Sequence, residues 1–220
     1  MSPAEAAALR ASAARLGLTL EEAASDRIGR FLDLLGVWNQ RFHLTGERDR
    51  RILLRKHVVD ALAPARWVPN SGVVVDVGSG AGFPGVVLAC VRPAVLFYLV
   101  EARRRPCSFL GEVARSLPLP NIVPMNARAE EVANGRLNGS ADVVISRAIR
   151  LDAFVPLAKP FLTRTGVIVA MRTPGGAAEE ARVATSNDLA VRDAFEYVLP
   201  DGEARRLVLL VHQSDGASRA

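Results

Sequence analysis

Val73-Val74-Val75-Asp76-Val77-Gly78-Ser79-Gly80-Ala81-Gly82-Phe83-Pro84-Gly85 runs from a β-branched strand through closely spaced glycines to a proline suited to a first helical turn. The helix of Val86 to Val91 follows. Glycines belong where the backbone turns sharply and where a ligand comes too close for any Cβ. The crevice at the carboxyl end of such a strand is therefore a candidate ligand site, with a tight strand-to-helix turn lacking a ligand as the bland alternative. Gly80, Gly82 and Gly85 satisfy the dinucleotide spacing, whereas Gly78, Gly80 and Gly82 satisfy a tighter Gly-x-Gly-x-Gly spacing. The dinucleotide register would begin late, beyond Gly78, and Asp76 at the strand end would repel a pyrophosphate. A carboxylate there can organise the loop or serve a cationic amino-acid ligand, directly or through water.

Outward from this segment, short apolar runs alternate with helical stretches. Val95–Val100, Ile122–Met125, Val143–Ser146 and Val167–Met171 are the next predicted strands, which implies βαβ units and a sheet covered on both faces. Ala177 to Ala184 reads as a helix. Phe195–Leu199 and Arg205–Val211, joined by Pro200-Asp201-Gly202, read as a hairpin whose last strand runs antiparallel. Residues 1–70 are predicted as an N-terminal helical layer, 71–212 as the Rossmann-like unit and 213–220 as a polar tail. Within the layer, an Ala-rich helix starts at Pro3, and Thr19 with Glu22 forms a possible capping box. Ile28, Phe31, Leu32, Leu35 and Trp38 then fall on one helical face, and Asp49 can cap a further helix that Pro64 stops.

Glu101 ends the second strand, where a carboxylate can accept both hydroxyls of a ribose; this suits NAD and any adenosine-containing cofactor alike. Its competing role is to balance Arg103, Arg104 and Arg105. Composition narrows the classes. The 220 residues are half hydrophobic and 23% charged, which excludes a disordered or collagen-like chain. The longest apolar run, Ala94 to Val100, is too short to span a bilayer. The start, Met1-Ser2-Pro3-Ala4-Glu5, lacks the pattern of a secretory signal, so a cytoplasmic location is expected. Cys90 and Cys107 are too few for a disulfide framework or a zinc cage, and no metal is expected. Net charge is +5, from 28 basic and 23 acidic residues, which permits an anionic partner without demanding one.

Several ordered motifs together carry a family resemblance. Asp76 to Gly85 looks like the cofactor loop of S-adenosylmethionine-dependent methyltransferases. Its Phe83-Pro84-Gly85 ending, with Lys56-His57-Val58-Val59-Asp60, Arg128-Ala129-Glu130-Glu131 and Val144-Ile145-Ser146-Arg147-Ala148, resembles the small-subunit ribosomal RNA methyltransferase G family, also called glucose-inhibited division protein B. The resemblance implies a Rossmann-like α/β fold, with a mostly parallel seven-stranded sheet, an antiparallel C-terminal hairpin and an N-terminal helical extension. It also implies an enzyme, expected as a monomer, that methylates N7 of a guanine in 16S ribosomal RNA or the 30S subunit. Cofactor contacts would fall on Asp76, Gly78, Gly80, Gly82, Phe83, Glu101, Ala102, Arg103, Ala129, Glu130 and Arg147. The family's Asn-Leu-Thr is here His43-Leu44-Thr45, its Arg-His is Lys56-His57, its Asp-Ser is Asp60-Ala61 and its Lys-Gly is Arg172-Thr173.

Guanine N7 carries a lone pair and no proton, so in-line transfer from a sulfonium requires alignment and no general base. An amine target would call for Asn or Asp with paired prolines after the fourth strand, where Ser146-Arg147-Ala148-Ile149 stands instead. Pro106-Cys107 follows the second strand and reads as helix packing. His57 lies three residues before Asp60 on one predicted helix, so the two side chains are expected to meet and to position substrate or lock the layer to the sheet. Arg147 is expected beside the crevice, with a salt bridge to Asp142 or Asp152 as its competing role. Arg48, Arg51 and Arg55 on one helix face, with Lys56, are a candidate phosphate track. Alternatives are a small-molecule methyltransferase, an NAD-dependent oxidoreductase and a non-catalytic RNA-binding assembly factor.

Overall fold

The glycine loop sits at the centre of a seven-stranded sheet ordered β3-β2-β1-β4-β5-β7-β6. This computed structural model describes residues 1–213; the expected polar tail, apart from Gln213, lies outside the described residues. The strands are β1 (Gly72–Val77), β2 (Val95–Val100), β3 (Ile122–Met125), β4 (Ala141–Ser146), β5 (Leu162–Arg172), β6 (Leu189–Val198) and β7 (Ala204–His212). β1 pairs in parallel with β2 on one side and β4 on the other, and β7 runs antiparallel to both β5 and β6. Strand order therefore reverses at β1, which opens a crevice between the ends of β1 and β4.

Alternation along β1 assigns its side chains to two cores. Val74 points to the layer holding Phe31, Leu88 and Phe109, while Val75 and Val77 point to the layer holding Phe154 and Val183. The first layer is built by α2 (Glu22–Phe42), α5 (Gly85–Val91) and α6 (Arg104–Ser116). Ile28, Phe31, Leu32 and Leu35 of α2 are all buried, as their spacing predicts, and Trp38 is half-buried against Phe109. The second layer is built by α7 (Ala129–Ala133), α8 (Leu151–Ala158) and α9 (Ala177–Thr185). No helix among the described residues is long and apolar enough to cross a membrane.

Helix α1 (Pro3–Arg15) opens with a capping box: Ser2 Oγ accepts the Glu5 amide and Glu5 Oε2 accepts the Ser2 amide. The box expected from Thr19 and Glu22 does not form. Leu20 is buried ahead of α2, the cap position falls on Glu21, and no side chain caps the first turn. Asp49 does cap, accepting the Arg51 amide at 2.7 Å. The helix it opens is irregular: α3 (Arg50–Ile52), a π-helical segment (Leu53–Val58), α4 (Val59–Leu62) and a closing 3-10 turn (Ala63–Arg66). The π segment breaks the 3.6-residue register on which a straight basic stripe depends. β6 starts at Leu189, six residues before its predicted start, because Arg192 and Asp193 give the first half of this edge strand the polarity of a loop.

Candidate active site

Asp76 is fully buried at the end of β1, and its Oδ2 accepts the amide of Gly85 at 2.9 Å, closing the loop onto α5. Ser79 Oγ donates to Asp76 O, Gly82 N–H donates to Ser79 O, and the amides of Gly78 and Ser79 both donate to Val100 O. The glycines divide by what surrounds them. At Gly85 a Cβ would lie 2.4 Å from Leu99 Cδ2, and at Gly82 it would lie 2.8 Å from Val86 Cγ2, so these two are required by internal packing. Gly78 and Gly80 have φ of +74° and +54°; a Cβ at Gly78 would press on Ile149 Cδ1 at 3.3 Å, and one at Gly80 would be in ordinary contact with the Arg103 guanidinium at 3.7 Å, Gly78 O at 3.8 Å and Glu101 Oε2 at 4.0 Å. Here the backbone leaves a cradle on the crevice side.

Polar groups face that cradle. Asp76 Oδ1 and Ser146 Oγ, one on each of the two strands that flank the crevice, are buried without hydrogen-bond partners among the described residues. Orphaned buried acceptors and hydroxyls mark a place completed by something else. Burial pushes the Asp76 carboxyl up to about 7, against the pull of the Gly85 amide and Ser79. Glu101, 4% exposed, accepts the Gly80 amide on Oε2 and the Arg103 amide and Nε on Oε1. Burial raises its pKa, but the Arg103 bonds outweigh this and hold it below the usual range. Glu101 thus pairs with Arg103, the competing role, and stands beside Gly80. Ala102 is exposed and carries no side-chain function, Ala129 is buried at the start of α7, and Glu130 is exposed beside it.

Phe83 links this cradle to a second space. Its ring packs edge-on against Phe31 at 5.3 Å, lies 5.6 Å from the His57 ring, and carries the Arg147 guanidinium 5.0 Å from its centroid. Beyond it opens a cleft of about 290 Å³, lined by His57 and Asp60 from the helical layer, Arg147 after β4, Arg172 at the end of β5 and Arg205 from β7. Larger clefts of about 420 and 840 Å³ lie between the helical layer and the hairpin turn at Pro200 and Asp201, the second sharing Lys56 and His57 with the smaller cleft. The smaller one gathers His57, Asp60, Arg147, Arg172 and Arg205, and two of these, His57 and Arg147, meet the Phe83 ring.

Among the described residues no hydrogen bond or ion pair joins His57 to Asp60, although both line this cleft. Asp60 Oδ1 instead accepts the Tyr197 hydroxyl at 2.7 Å, Arg147 Nη1 lies 3.7 Å from Oδ2, and Arg205 Nε lies 3.8 Å from Oδ1. Burial raises the pKa of Asp60 and lowers that of Arg147. Burial, with the positive charge of Arg147, lowers His57 to about 4, so its imidazole is neutral near pH 7. Neither carboxylate expected to pair with Arg147 does so: Asp142 accepts the Val73 amide and Asp152 pairs with Arg150. Arg48 precedes the helix and bonds His43, so only Arg51, Arg55 and Lys56 of the expected track lie on it; Arg55 reaches Pro200 O and Lys56 pairs with Glu203. Tyr197 and Arg205 were not legible as site residues, since nothing near them in sequence signals a partner in the helical layer.

Comparison with known proteins agrees with this architecture. The family model for rRNA small subunit methyltransferase G matches residues 24–208. A protein of that name from Anaeromyxobacter sp. is 35% identical over 212 residues, 94% of this chain and 97% of its own, and one from Francisella philomiragia is 42% identical over 145 residues, 66% of this chain and 68% of its own. Among solved structures, M. jannaschii TYW2 in complex with AdoMet shares the fold at a TM-score of 0.58 and 21% identity, covering 71% of this chain and 76% of that one. The chain belongs to the rRNA small subunit methyltransferase G family.

Proposed function

We propose that this chain transfers a methyl group from S-adenosylmethionine to N7 of a guanine in 16S ribosomal RNA. The observation that carries the reading is the junction at Phe83, where a glycine cradle flanked by Asp76 and Glu101 meets a cleft rich in arginine. His57, held near a pKa of 4, is a weak base, and Asp60 is engaged by Tyr197. A lone-pair nucleophile such as N7 needs neither. When bound, S-adenosylmethionine supplies an electrophilic methyl on sulfur, and displacement in line with that bond requires only that the base be held in register. Gly78 and Gly80 would leave room for the nucleoside, Glu101 would accept its ribose hydroxyls, and Asp76 would face the amino-acid part directly or through water. Phe83 and Arg147 would separate this part from the base, while Ala129 and Glu130 would meet the adenine edge.

A dinucleotide fits less well, because the unpartnered Asp76 oxygen would face a pyrophosphate. Arg51, Arg55 and Lys56 lie on the helix that brings His57 to the cleft, which supports an RNA backbone running along the layer of residues 1–70 towards the methyltransferase unit of residues 71–212. The same reading takes the enzyme to act as a monomer in the cytoplasm.

The test is transfer of labelled methyl groups to 30S particles and to naked 16S RNA, with mass-spectrometric mapping of the modified nucleotide and calorimetry against S-adenosylhomocysteine and NAD. Label at a guanine N7 is expected. Absence of RNA label with folded, cofactor-bound protein ends the reading.

A further inference from the structure

The only side-chain hydrogen bond to Asp60 among the described residues comes from Tyr197, 137 positions away on β6. The two residues belong to different parts of the sheet assembly. Asp60 lies on α4, beyond the π segment, and Tyr197 lies near the end of the edge strand. Both are buried, at 6% and 8% exposure. The bond uses Oδ1 and leaves Oδ2 towards Arg147, whose guanidinium then rests on the Phe83 ring. Tyr197, Arg205 and Arg147 thus converge on one carboxylate, and a path from the hairpin to the glycine loop runs Tyr197, Asp60, Arg147, Phe83.

Resting on the function proposed above, we infer that Tyr197 is a positioning residue: through Asp60 it holds the Arg147 guanidinium on Phe83, at the boundary between the cofactor cradle and the base cleft. An arginine has many rotamers, and one buried by desolvation is held only where an acceptor is itself fixed. A phenol is suited to fix it, since its donor is rigid and uncharged and leaves the carboxylate ionised. Asp60 is faced by Tyr197 from β6, Arg205 from β7, Glu203 from the hairpin turn, and Arg147 after β4, with His57 and Lys56 on its own helix. Of these, only Tyr197 donates at hydrogen-bond distance.

The test compares wild type, Tyr197→Phe and Asp60→Asn. The first readout is the side-chain 15N–1H resonance of Arg147, which the Phe83 ring current displaces in wild type. It is expected to return towards the position of free arginine in both variants, while folding by circular dichroism is kept and S-adenosylhomocysteine affinity stays within about twofold. The second readout is methylation of 30S particles: kcat is expected to fall about tenfold in Tyr197→Phe with KM for the particle changed much less, and the acid limb of kcat to move to higher pH. The sign follows from the bond, since losing the donor raises the pKa of Asp60 further and protonates it sooner on acidification. An unmoved Arg147 resonance overturns the inference, and so does a moved resonance with unchanged kcat and pH profile. Failure of wild type to methylate RNA would refute the proposed function instead, and the resonance would then decide the inference.

Discussion

Asp76 Oδ2 accepts the backbone N–H of Gly85 at 2.9 Å, tying the last turn of β1 to the first turn of α5 and folding every glycine of the loop between them. One buried carboxylate thereby sets the shape of the cradle while its other oxygen remains unpartnered.

Glycines on the two sides of this bond respond differently to a methyl group. In Gly85→Ala the new Cβ would meet Leu99 and Asp76 Oδ2 inside 2.6 Å, so stability is expected to fall by about 1–3 kcal/mol and the loop to open. In Gly80→Ala the new Cβ makes only ordinary contacts, 3.7 Å or longer, and the left-handed φ of +54° opposes the change, at about 1–2 kcal/mol. Gly78→Val puts a β-branched side chain at a φ of +74° and its Cβ 3.3 Å from Ile149, so it is expected to lose stability as well as cofactor affinity while the sheet still folds. Urea unfolding with calorimetry against S-adenosylhomocysteine separates the three; unchanged affinity in Gly78→Val would show the cradle to be misplaced.

Asp76 makes the cofactor-free protein sensitive to pH in a direction opposite to ordinary acid denaturation. Its pKa rises from 3.8 to about 7 on folding, so between those values the native state holds a proton that the unfolded chain lacks. Its contribution to stability therefore declines as pH rises from about 4 to about 7 and is level above that. Asp76→Asn is expected to remove this slope, measured as urea midpoints across the same range; a slope that survives the substitution assigns it elsewhere.

His57 contributes with the reverse sign. Its pKa falls from 6.5 to about 4 on folding, so below pH 6.5 the unfolded state takes up a proton first and stability drops until about pH 4. The ring C–H resonances of His57 are expected not to titrate between pH 5.5 and 8. A midpoint inside that window would show an accessible, charged imidazole.

Arg51 and Arg55 differ from the buried cluster in what their loss reads. If each meets one phosphate, Arg51→Ala and Arg55→Ala should each flatten the dependence of log K for RNA on log salt by roughly 0.7–0.9, with affinity for S-adenosylhomocysteine unchanged. A filter-binding salt series gives the slope directly, and an unaltered slope removes that residue from the track.

Much of the fold was legible because its signals are local. Val95–Val100 and Ile122–Met125 are strands over the predicted residues, since buried parallel strands read as unbroken apolar runs between helical stretches. The edge strand was read short at Phe195 because one exposed face and a bulge between Val191 and Asp193 hide its alternation. Asp49 was legible as a cap because a cap is made within three residues, whereas the Thr19 box failed because burial of Leu20 placed the start of α2.

What the residues determined alone was the order of strands and helices, the bend after Asp76, and the carboxylate at Glu101: each follows from spacing within one βαβ unit, where backbone sterics act over a few positions. What only the tertiary structure decided was which groups meet Asp60 and Arg147. His57, three positions from Asp60, turned to Phe83, while Tyr197 and Arg205 came from the far hairpin. Those partners depend on how a π turn, a sheet edge and a loop pack together, and side-chain spacing along the chain carries no record of that.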